Sequence, residues 1–302
     1  MNVLLCGDFD PGEEDTWRAA LTAALPSAHW FDLAAARAAD DSIEVAVVAN
    51  PPPGSLQGLP ALRLVQSLWA GVDRLLNDPT LPAGVPIARM VDPAMNAAMA
   101  ETALWAVLAL HRGFFVYAEC QRRGEWRPHA QRRADEVPVL VLGQGAMGSA
   151  VSDRLRAQGY PVTGWRRSDG PAALWQTLPQ AAIVINLLPL TAETRGLLDA
   201  RFFAAMASAA GLVNLARGAH VVETDLLAAL DRGQLSHAVL DVFQVEPLPP
   251  QHPFWHHPQV TVLPHAAAAT DPRSAAQVVA DNLQRLARGD ALRHLVDRHR
   301  GY

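Results

Sequence analysis

Three short segments carry side chains whose chemistry fits together. Arg217 stands in NLARGAHVVETDLLAAL, Asp241 and Glu246 in DVFQVEPLP, and His265 in VLPHAAAAT. Each lies at or just beyond the end of an apolar, strand-like run, the edge at which open α/β sheets bind ligands. A histidine passes protons near neutral pH, and a carboxylate beside it orients the ring and favours its protonated form. An arginine keeps its charge and can grip a carboxylate, or a carboxylate and a carbonyl together. A ketone that accepts hydride develops an alkoxide, which needs a proton donor and a fixed positive charge nearby. Together, Arg217, Glu246 and His265 suit the reduction of a 2-oxo acid. Taken singly they have plainer readings: Arg217, like Arg201, as a surface charge, Glu246 as a loop acid, His265 as a satisfied core histidine.

The same region contains His252, His256 and His257 in the Pro-rich loop PLPPQHPFWHHP. They lack the HxxxH or HExxH spacing that puts ligands on one helix face. They read as solvated or packing histidines, and no metal is expected.

Hydride must come from a carrier. VPVLVLGQGAMGSAVSDRLRAQGYPVTGWRRS sets Gly143, Gly145 and Gly148 in G-x-G-x-x-G spacing between a strand and a helix, with Ala146 and Met147 inside the turn. The first glycine permits the tight turn, the second lets backbone approach a pyrophosphate, and the third lets helix and strand pack closely. The helix N-terminus then offers unpaired N–H groups to the phosphates. The bare motif is weak, but strand, helix and second strand stand at the distances that a dinucleotide site requires. Where an NAD site carries an acid after the second strand, this chain has Arg166, Arg167 and Ser168. Guanidinium groups match a 2′-phosphate, so NADPH is the preferred cofactor. NAD stays possible, because a solvated basic turn beside Asp169 is the alternative reading.

The elements that must position these residues are legible as alternation. NVLLCG, EVAVVAN and LRLVQSL read as strands separated by helices such as EEDTWRAALTAAL, and DLAAARAAD reads as a further helix. Short apolar strands between helices imply a parallel sheet. Residues 97–120 form one long helical pattern joining two domains. A second series follows in VPVLVLG, YPVTGW, AAIVINLLP, GLVNLARG, HAVLDVF and QVTVLPHAA, and the final helix DPRSAAQVVADNLQRLARGD returns to the first domain. The expected fold class is α/β, with two Rossmann-like or flavodoxin-like doubly wound parallel-sheet domains and an interdomain cleft. Residues 1–96 plus 271–302 would form the substrate domain and 97–270 the dinucleotide-binding domain.

Composition removes other classes. At 302 residues the length fits two domains. A net charge of −5 leaves no basic excess for a phosphate backbone, so no nucleic acid is expected. Cys6 and Cys120 form no CxxC and no disulfide framework. The start, MNVLLCGDFDPGEED, lacks a secretory pattern, and no run approaches ~18 uninterrupted apolar residues. The expectation is a cytoplasmic protein without a membrane partner.

The order GxGxxG, NLARG, DVFxxEPLP and PH resembles the D-isomer-specific 2-hydroxyacid dehydrogenase family, over essentially the whole chain and most weakly over residues 1–60. INLLPLTAETRGLLD, NLARGAHVVETDLLAALDRG, DVFQVEPLPPQHPFWHHPQVTVLPHAAA and the terminal VDRHRGY resemble its glyoxylate/hydroxypyruvate reductase A branch. The resemblance implies reduction of glyoxylate to glycolate or of hydroxypyruvate to D-glycerate. It makes Arg217 the substrate-binding catalytic arginine, Glu246 the acid paired with the histidine, and His265 the proton donor. It sets Asp241 toward the nicotinamide carboxamide and lines the cofactor with Pro189 and Ala216. HAAA replaces the family's HIGG or HIGS and keeps small residues, Ala267 among them, beside the histidine. SLWAGVDRLL resembles the substrate loop, in which the amides of Ala70 and Gly71 would hold a carboxylate. Trp69 stands where many members have glycine and either narrows the pocket or caps it. The family also implies a homodimer through the linking helix and the arm QRRGEWRPHAQRR. In that arm Trp126, Arg122, Arg123 and Arg127 either stay solvated or reach a partner's site. Two alternatives stay open: a reductase of a bulkier acid such as phenylpyruvate, and a regulator that senses the dinucleotide without turnover.

Overall fold

Runs such as VAVVA and VLVL are apolar on both faces, so they form strands covered on both sides. All strand pairs among the named strands are parallel. The computed structural model describes residues 1–38 and 42–302, and the chain divides into two units, Met1–Met95 with Thr270–Tyr302, and Asn96–Ala269.

The first unit runs β1 (Asn2–Gly7), α1 (Glu13–Ala24), β2 (His29–Phe31), α2 (Leu33–Ala38), β3 (Val45–Ala49), β4 (Leu64–Ser67), α3 (Asp73–Leu76) and β5 (Ile87–Ala88). Its sheet order is β2-β1-β3-β4-β5, the flavodoxin-like arrangement. One face of that sheet packs Leu4, Cys6, Val48, Val65 and Ile87 against Ala36 and Leu75. The predicted DLAAARAAD helix is present as α2, and its last two positions lie outside the described residues.

In the second unit α4 (Pro93–His111), whose first turn belongs to the first unit, is followed by α5 (Phe114–Arg122), β6 (Val139–Leu142), α6 (Ala146–Ala157), β7 (Val162–Trp165) and α7 (Gly170–Thr177). Then come β8 (Ile183–Asn186), α8 (Ala200–Ala205), β9 (Ala210–Asn214), α9 (Glu223–Asp231), β10 (Leu235–Leu240) and β11 (Val260–Val262). The sheet order β11-β10-β9-β8-β6-β7 reverses between β6 and β8. At such a switch point the turns after neighbouring strands diverge and leave a crevice at their carboxyl ends. The chain closes with α10 (Pro272–Arg288) in the first unit, packed along α1 and capped by Asp271, whose carboxylate accepts from the Arg273 N–H at 2.9 Å.

The single linking helix expected over 97–120 is two helices. Gly113 takes a left-handed φ of 69°, and the His129 ring fills the space that a β-carbon there would need. The helical spacing continues across the break, which is why the sequence pattern conceals it. By length and composition α4 could cross a membrane. In the fold its Met99, Ala100, Ala103, Ala106 and Val107 are core residues, clustered with Val139, Ile183 and Val213 of the sheet.

Candidate active site

The second unit gathers most of the sequence-predicted residues on one sheet edge. The glycine turn follows β6. Gly143 has φ 92°, and a β-carbon on it would sit 2.5 Å from the Leu187 carbonyl in the turn after β8, so the two switch-point turns touch there. Gly148 lies against the Gly143 carbonyl, and any side chain would push α6 off β6. Gly145 differs from both: a β-carbon there would meet open space. Gly145 and Ala146 are exposed and Met147 half-buried at the start of α6, where the first-turn N–H groups lack helical acceptors. This cradle, closed behind and open in front, fits a pyrophosphate.

After β7, Arg166 is exposed and forms no ion pair among the described residues. Its N–H donates to the Asp169 carboxylate at 2.7 Å, so Asp169 shapes the turn. Arg167 donates to Glu193 at 3.0 Å in a solvent-exposed pair that contributes little and exchanges readily. Ser168 is exposed beside them.

Two buried asparagines, unremarked in the sequence reading, organise the turns after β8 and β9. The Asn186 amide donates to the Asn214 side-chain oxygen at 3.0 Å, and that oxygen also accepts from the Ala216 N–H at 3.3 Å. Asn214 in turn donates to the Arg217 carbonyl at 3.1 Å. His220, fully buried, lies between the carbonyls of Arg217 (Nδ1, 3.1 Å) and Pro189 (Nε2, 3.3 Å), its N–H serving one of them, and Thr194 donates to Pro189 at 2.8 Å. Pro189, Ala216 and Arg217 are therefore fixed through their backbones. The available signal was a polar residue closing each apolar strand, in VIN and VN.

His265 sits in a second fixed turn. Its backbone is left-handed at φ 53°, an uncommon conformation for a side chain of this size. Asp241, 1% exposed, holds it there: its carboxylate accepts from the N–H groups of Ala266 (2.7 Å) and Ala267 (3.1 Å), and its carbonyl accepts from the His265 N–H at 2.9 Å. Burial pushes the Asp241 carboxyl up, and these N–H donors only partly offset it. Thr102 of α4 donates to the Ala267 carbonyl at 2.7 Å, closing the turn from behind. The Asp241 carboxylate thus serves the His265 turn, a role that the sequence reading did not assign.

The Glu246 carboxylate spans two partners, accepting from the Phe243 N–H at 2.8 Å and meeting His265 Nδ1 at 2.7 Å. Hydrogen bonding to Glu246 holds the His265 imidazole above its ordinary value, against the opposing effect of burial. Burial works to raise Glu246, but the His265 bond, the Phe243 N–H and the charges of His265 and Arg217 bring it below the usual carboxylate range. Gly218 backs directly onto the Phe243 backbone, where no β-carbon would fit, and this close approach seats Arg217 beside the pair. Arg217 acts electrostatically on both members and donates to the Ala216 carbonyl at 2.7 Å. With Nδ1 committed to Glu246, Nε2 is the nitrogen left for chemistry.

The remaining histidines of that region are elsewhere. His252 pairs with Glu223 at 3.2 Å and His257 with Asp231 at 3.3 Å, both on α9, and no metal-type cluster occurs among the described residues.

In the first unit, Trp69 follows β4. Ser67 Oγ accepts from the Trp69 N–H and donates to the Trp69 carbonyl, both at 3.0 Å, and the indole stands edge-on to Trp17 with centroids 6.0 Å apart. The N–H groups of Ala70 and Gly71 donate to no acceptor among the described residues.

The sequence profile for the D-isomer-specific 2-hydroxyacid dehydrogenase NAD-binding domain matches residues 104–267. A glyoxylate/hydroxypyruvate reductase A of Serratia proteamaculans is 42% identical over 318 aligned positions, covering 100% of both chains. The chain belongs to the D-isomer-specific 2-hydroxyacid dehydrogenase family. Two solved family members share the architecture. A Xanthobacter autotrophicus Py2 dehydrogenase in complex with NADPH and MES superposes with a TM-score of 0.93 at 38% identity, covering 99% of this chain and 100% of that one. An NADPH-dependent glyoxylate/hydroxypyruvate reductase of Sinorhizobium meliloti, in complex with NADP and sulfate, gives 0.92 at 36%, covering 100% and 99%. The likeness extends to the glyoxylate/hydroxypyruvate reductase A branch of the family and identifies the chain as an oxidoreductase.

Proposed function

We propose that this dehydrogenase reduces small 2-oxo acids, glyoxylate and hydroxypyruvate foremost, with NADPH. The observation that carries the reading is the 2.7 Å His265–Glu246 pair beside Arg217, on the sheet edge that also bears the glycine cradle. The second unit is the dinucleotide domain, with Gly143, Gly145, Ala146, Met147 and Gly148 at the pyrophosphate and Pro189, Ala216, Asp241 and Ala267 along the remainder. Arg166, Arg167 and Ser168 take the 2′-phosphate, as the NADP-bound relatives encourage. Bound NADPH supplies the hydride.

The protein's own groups do the rest. Arg217 pins the carboxylate and polarises the carbonyl, and Trp69, Ala70 and Gly71 are the proposed substrate-binding loop. His265 gives its Nε2 proton to the oxygen as negative charge develops there, while Glu246 keeps Nδ1–H oriented and stabilises the imidazolium. In the reverse direction the neutral ring takes the alcohol proton.

A second copy of the chain covers the apolar face formed by Trp105, Phe114 and Val116, with the fully exposed Trp126 on the adjoining arm. The arm's charge is largely compensated, Arg122 and Arg123 by Glu119 and Arg127 by Glu125, as suits contact with a protein and not with a nucleic acid. The cytoplasm is the proposed compartment.

The test is NADPH and NADH oxidation on glyoxylate, hydroxypyruvate, pyruvate and phenylpyruvate, for wild type and His265→Ala. Turnover should favour NADPH and the small acids, and His265→Ala should lose ~100- to 10,000-fold in kcat while still binding NADPH. A preference for phenylpyruvate would replace the substrate assignment. Tight NADPH binding without turnover of any 2-oxo acid would make the protein a sensor.

A further inference from the structure

Every fixed side-chain cation in this chain is an arginine, 25 of them with no lysine. Many sit in exposed or partly exposed pairs with nearby carboxylates. Arg89 is different. It is half-buried directly after β5, and its guanidinium has no carboxylate and no hydrogen-bond acceptor among the described residues. Burial depresses its basicity with no acid in opposition. On the neighbouring chain end, burial and then the Arg89 charge push the His294 imidazole below its ordinary value.

A cation withdrawn from water without an anion is expensive, and its natural complement is a ligand. The backbone defines where that ligand would lie. The Arg89 N–H donates to the His294 carbonyl at 3.0 Å, and the Met90 N–H donates to the Trp69 carbonyl at 3.1 Å, so the extended chain continues past β5 alongside the Trp69 loop. The parallel register pairs Val65 with Ile87 and Gln66 with Ala88, and Ser67 and Arg89 are the next residue on each chain. Ser67 is the residue that clasps the Trp69 backbone, and the next two N–H groups of that loop, Ala70 and Gly71, are unused. One sheet edge of one unit therefore presents two neutral donors and one uncompensated guanidinium.

Resting on the reading of this protein as a 2-oxo acid reductase, we infer that Arg89 is a substrate-binding residue. It completes, with the Ala70 and Gly71 amides, an oxyanion subsite on the first unit that receives the carboxylate of the acid. Trp69, braced by Trp17, forms the wall of that subsite. Arg89 then determines affinity for the anion, whereas proton delivery belongs to His265.

The experiment uses the full-length, cofactor-free protein labelled with 5-fluorotryptophan, with the Trp69 resonance assigned by Trp69→Phe. Inorganic sulfate is titrated at constant ionic strength into wild type, Arg89→Gln, Arg89→Lys and Arg74→Gln, the last neutralising an exposed cation on α3. Sulfate should shift the Trp69 signal in wild type and in Arg74→Gln. Arg89→Gln should weaken that binding roughly 10- to 100-fold, as for a hydrogen bond to a charged group, and Arg89→Lys should restore part of it. In turnover, Arg89→Gln should raise KM for glyoxylate by a similar factor and change kcat far less. Its melting temperature without sulfate should equal or exceed that of wild type, because an uncompensated charge has been removed. An Arg89→Gln protein that melts well below wild type, or that binds sulfate with unchanged affinity and KM, overturns the subsite. If sulfate binding depends on Arg89 but no 2-oxo acid is reduced, the subsite stands and the reductase reading falls.

Discussion

Of the histidine–carboxylate pairs in the second unit, two make the instructive contrast. His265 meets Glu246 at 2.7 Å, and His252 meets Glu223 at 3.2 Å. The pairing alone therefore does not make a proton donor. His252 is packed on Phe254, its Nδ1 accepts from the Phe254 N–H at 3.3 Å, and its side chain is 18% exposed. Both of its nitrogens are spent on structure. His265 spends only Nδ1, its side chain is 51% exposed, its backbone is held left-handed by Asp241, and Arg217 acts on it from the adjoining turn. A free nitrogen, a rigid turn and a neighbouring cation separate the catalytic candidate from the packing histidine.

The sharpest way to probe that contrast is Glu246→Gln. His265 is held above its ordinary value mainly by the Glu246 hydrogen bond, so its protonated form persists as pH rises past that value. In the proposed mechanism reduction needs the protonated ring; activity should then fall as pH climbs through the raised value, and in Glu246→Gln the fall should begin at lower pH. The loss should be roughly 10- to 100-fold above neutral pH and smaller in acid, read from kcat–pH profiles. In the oxidative direction, which needs the neutral ring, the variant's profile should extend to lower pH. Linkage has the same sign: the raised His265 contributes stability below its ordinary value and loses it as pH rises through the folded one. Depressed Glu246 contributes above its ordinary value and loses it as pH falls through the folded one. Identical profiles for both proteins would mean that Glu246 does not set the charge of His265.

How much of this arrangement could be read in advance depended on range. The parallel αβ alternation and the glycine turn are short-range patterns, and both appear in the structure where their periodicities and spacing put them. Arg217, Glu246 and His265 were singled out because each follows a strand at the ligand-binding edge. The Asn186–Asn214–His220 ladder was not, because a lone asparagine closing a strand looks like any turn residue until the neighbouring strand supplies its partner 28 positions away. Asp241 was legible as a site residue but not in its grip on the His265 turn, which spans 25 positions. The break at Gly113 escaped notice because the apolar spacing runs straight through it and the His129 ring that fills the turn arrives from the arm. Edge strands β2 and β5, three and two residues long, are too short for any periodicity to register.

Asp241→Asn probes the rigid turn with a smaller expected effect. The two carboxylate oxygens accept from Ala266 and Ala267, so an amide must turn its NH2 toward at least one N–H donor or leave that donor unpaired. The cost is about 1–3 kcal/mol for a buried unsatisfied group, a fall of roughly 2–4 °C in melting temperature per kcal/mol for a body of this size. Because the same turn sets the His265 ring, kcat should drop along with stability. A kcat unaffected by a measurable loss of stability would show that the left-handed turn is a folding device only.

The smallest effect belongs to the packing histidine. His252→Ala removes the Glu223 pair and the bond from the Phe254 N–H, worth ~0.5–1.5 kcal/mol each before relaxation of the loop, and takes nothing from the reacting centre. Stability measured in urea should fall by that order, and kcat and KM should be unchanged at every pH at which the variant is folded. Adding His257→Ala should deepen the stability loss by a similar order, since its side chain is only 10% exposed and accepts from the Gln259 N–H at 3.2 Å besides meeting the exposed Asp231. If instead the double variant lost turnover tenfold or more while remaining folded, proton transfer would have to run through the Pro-rich loop. The distinction between a histidine with one spare nitrogen and a histidine with none would then no longer mark the active centre.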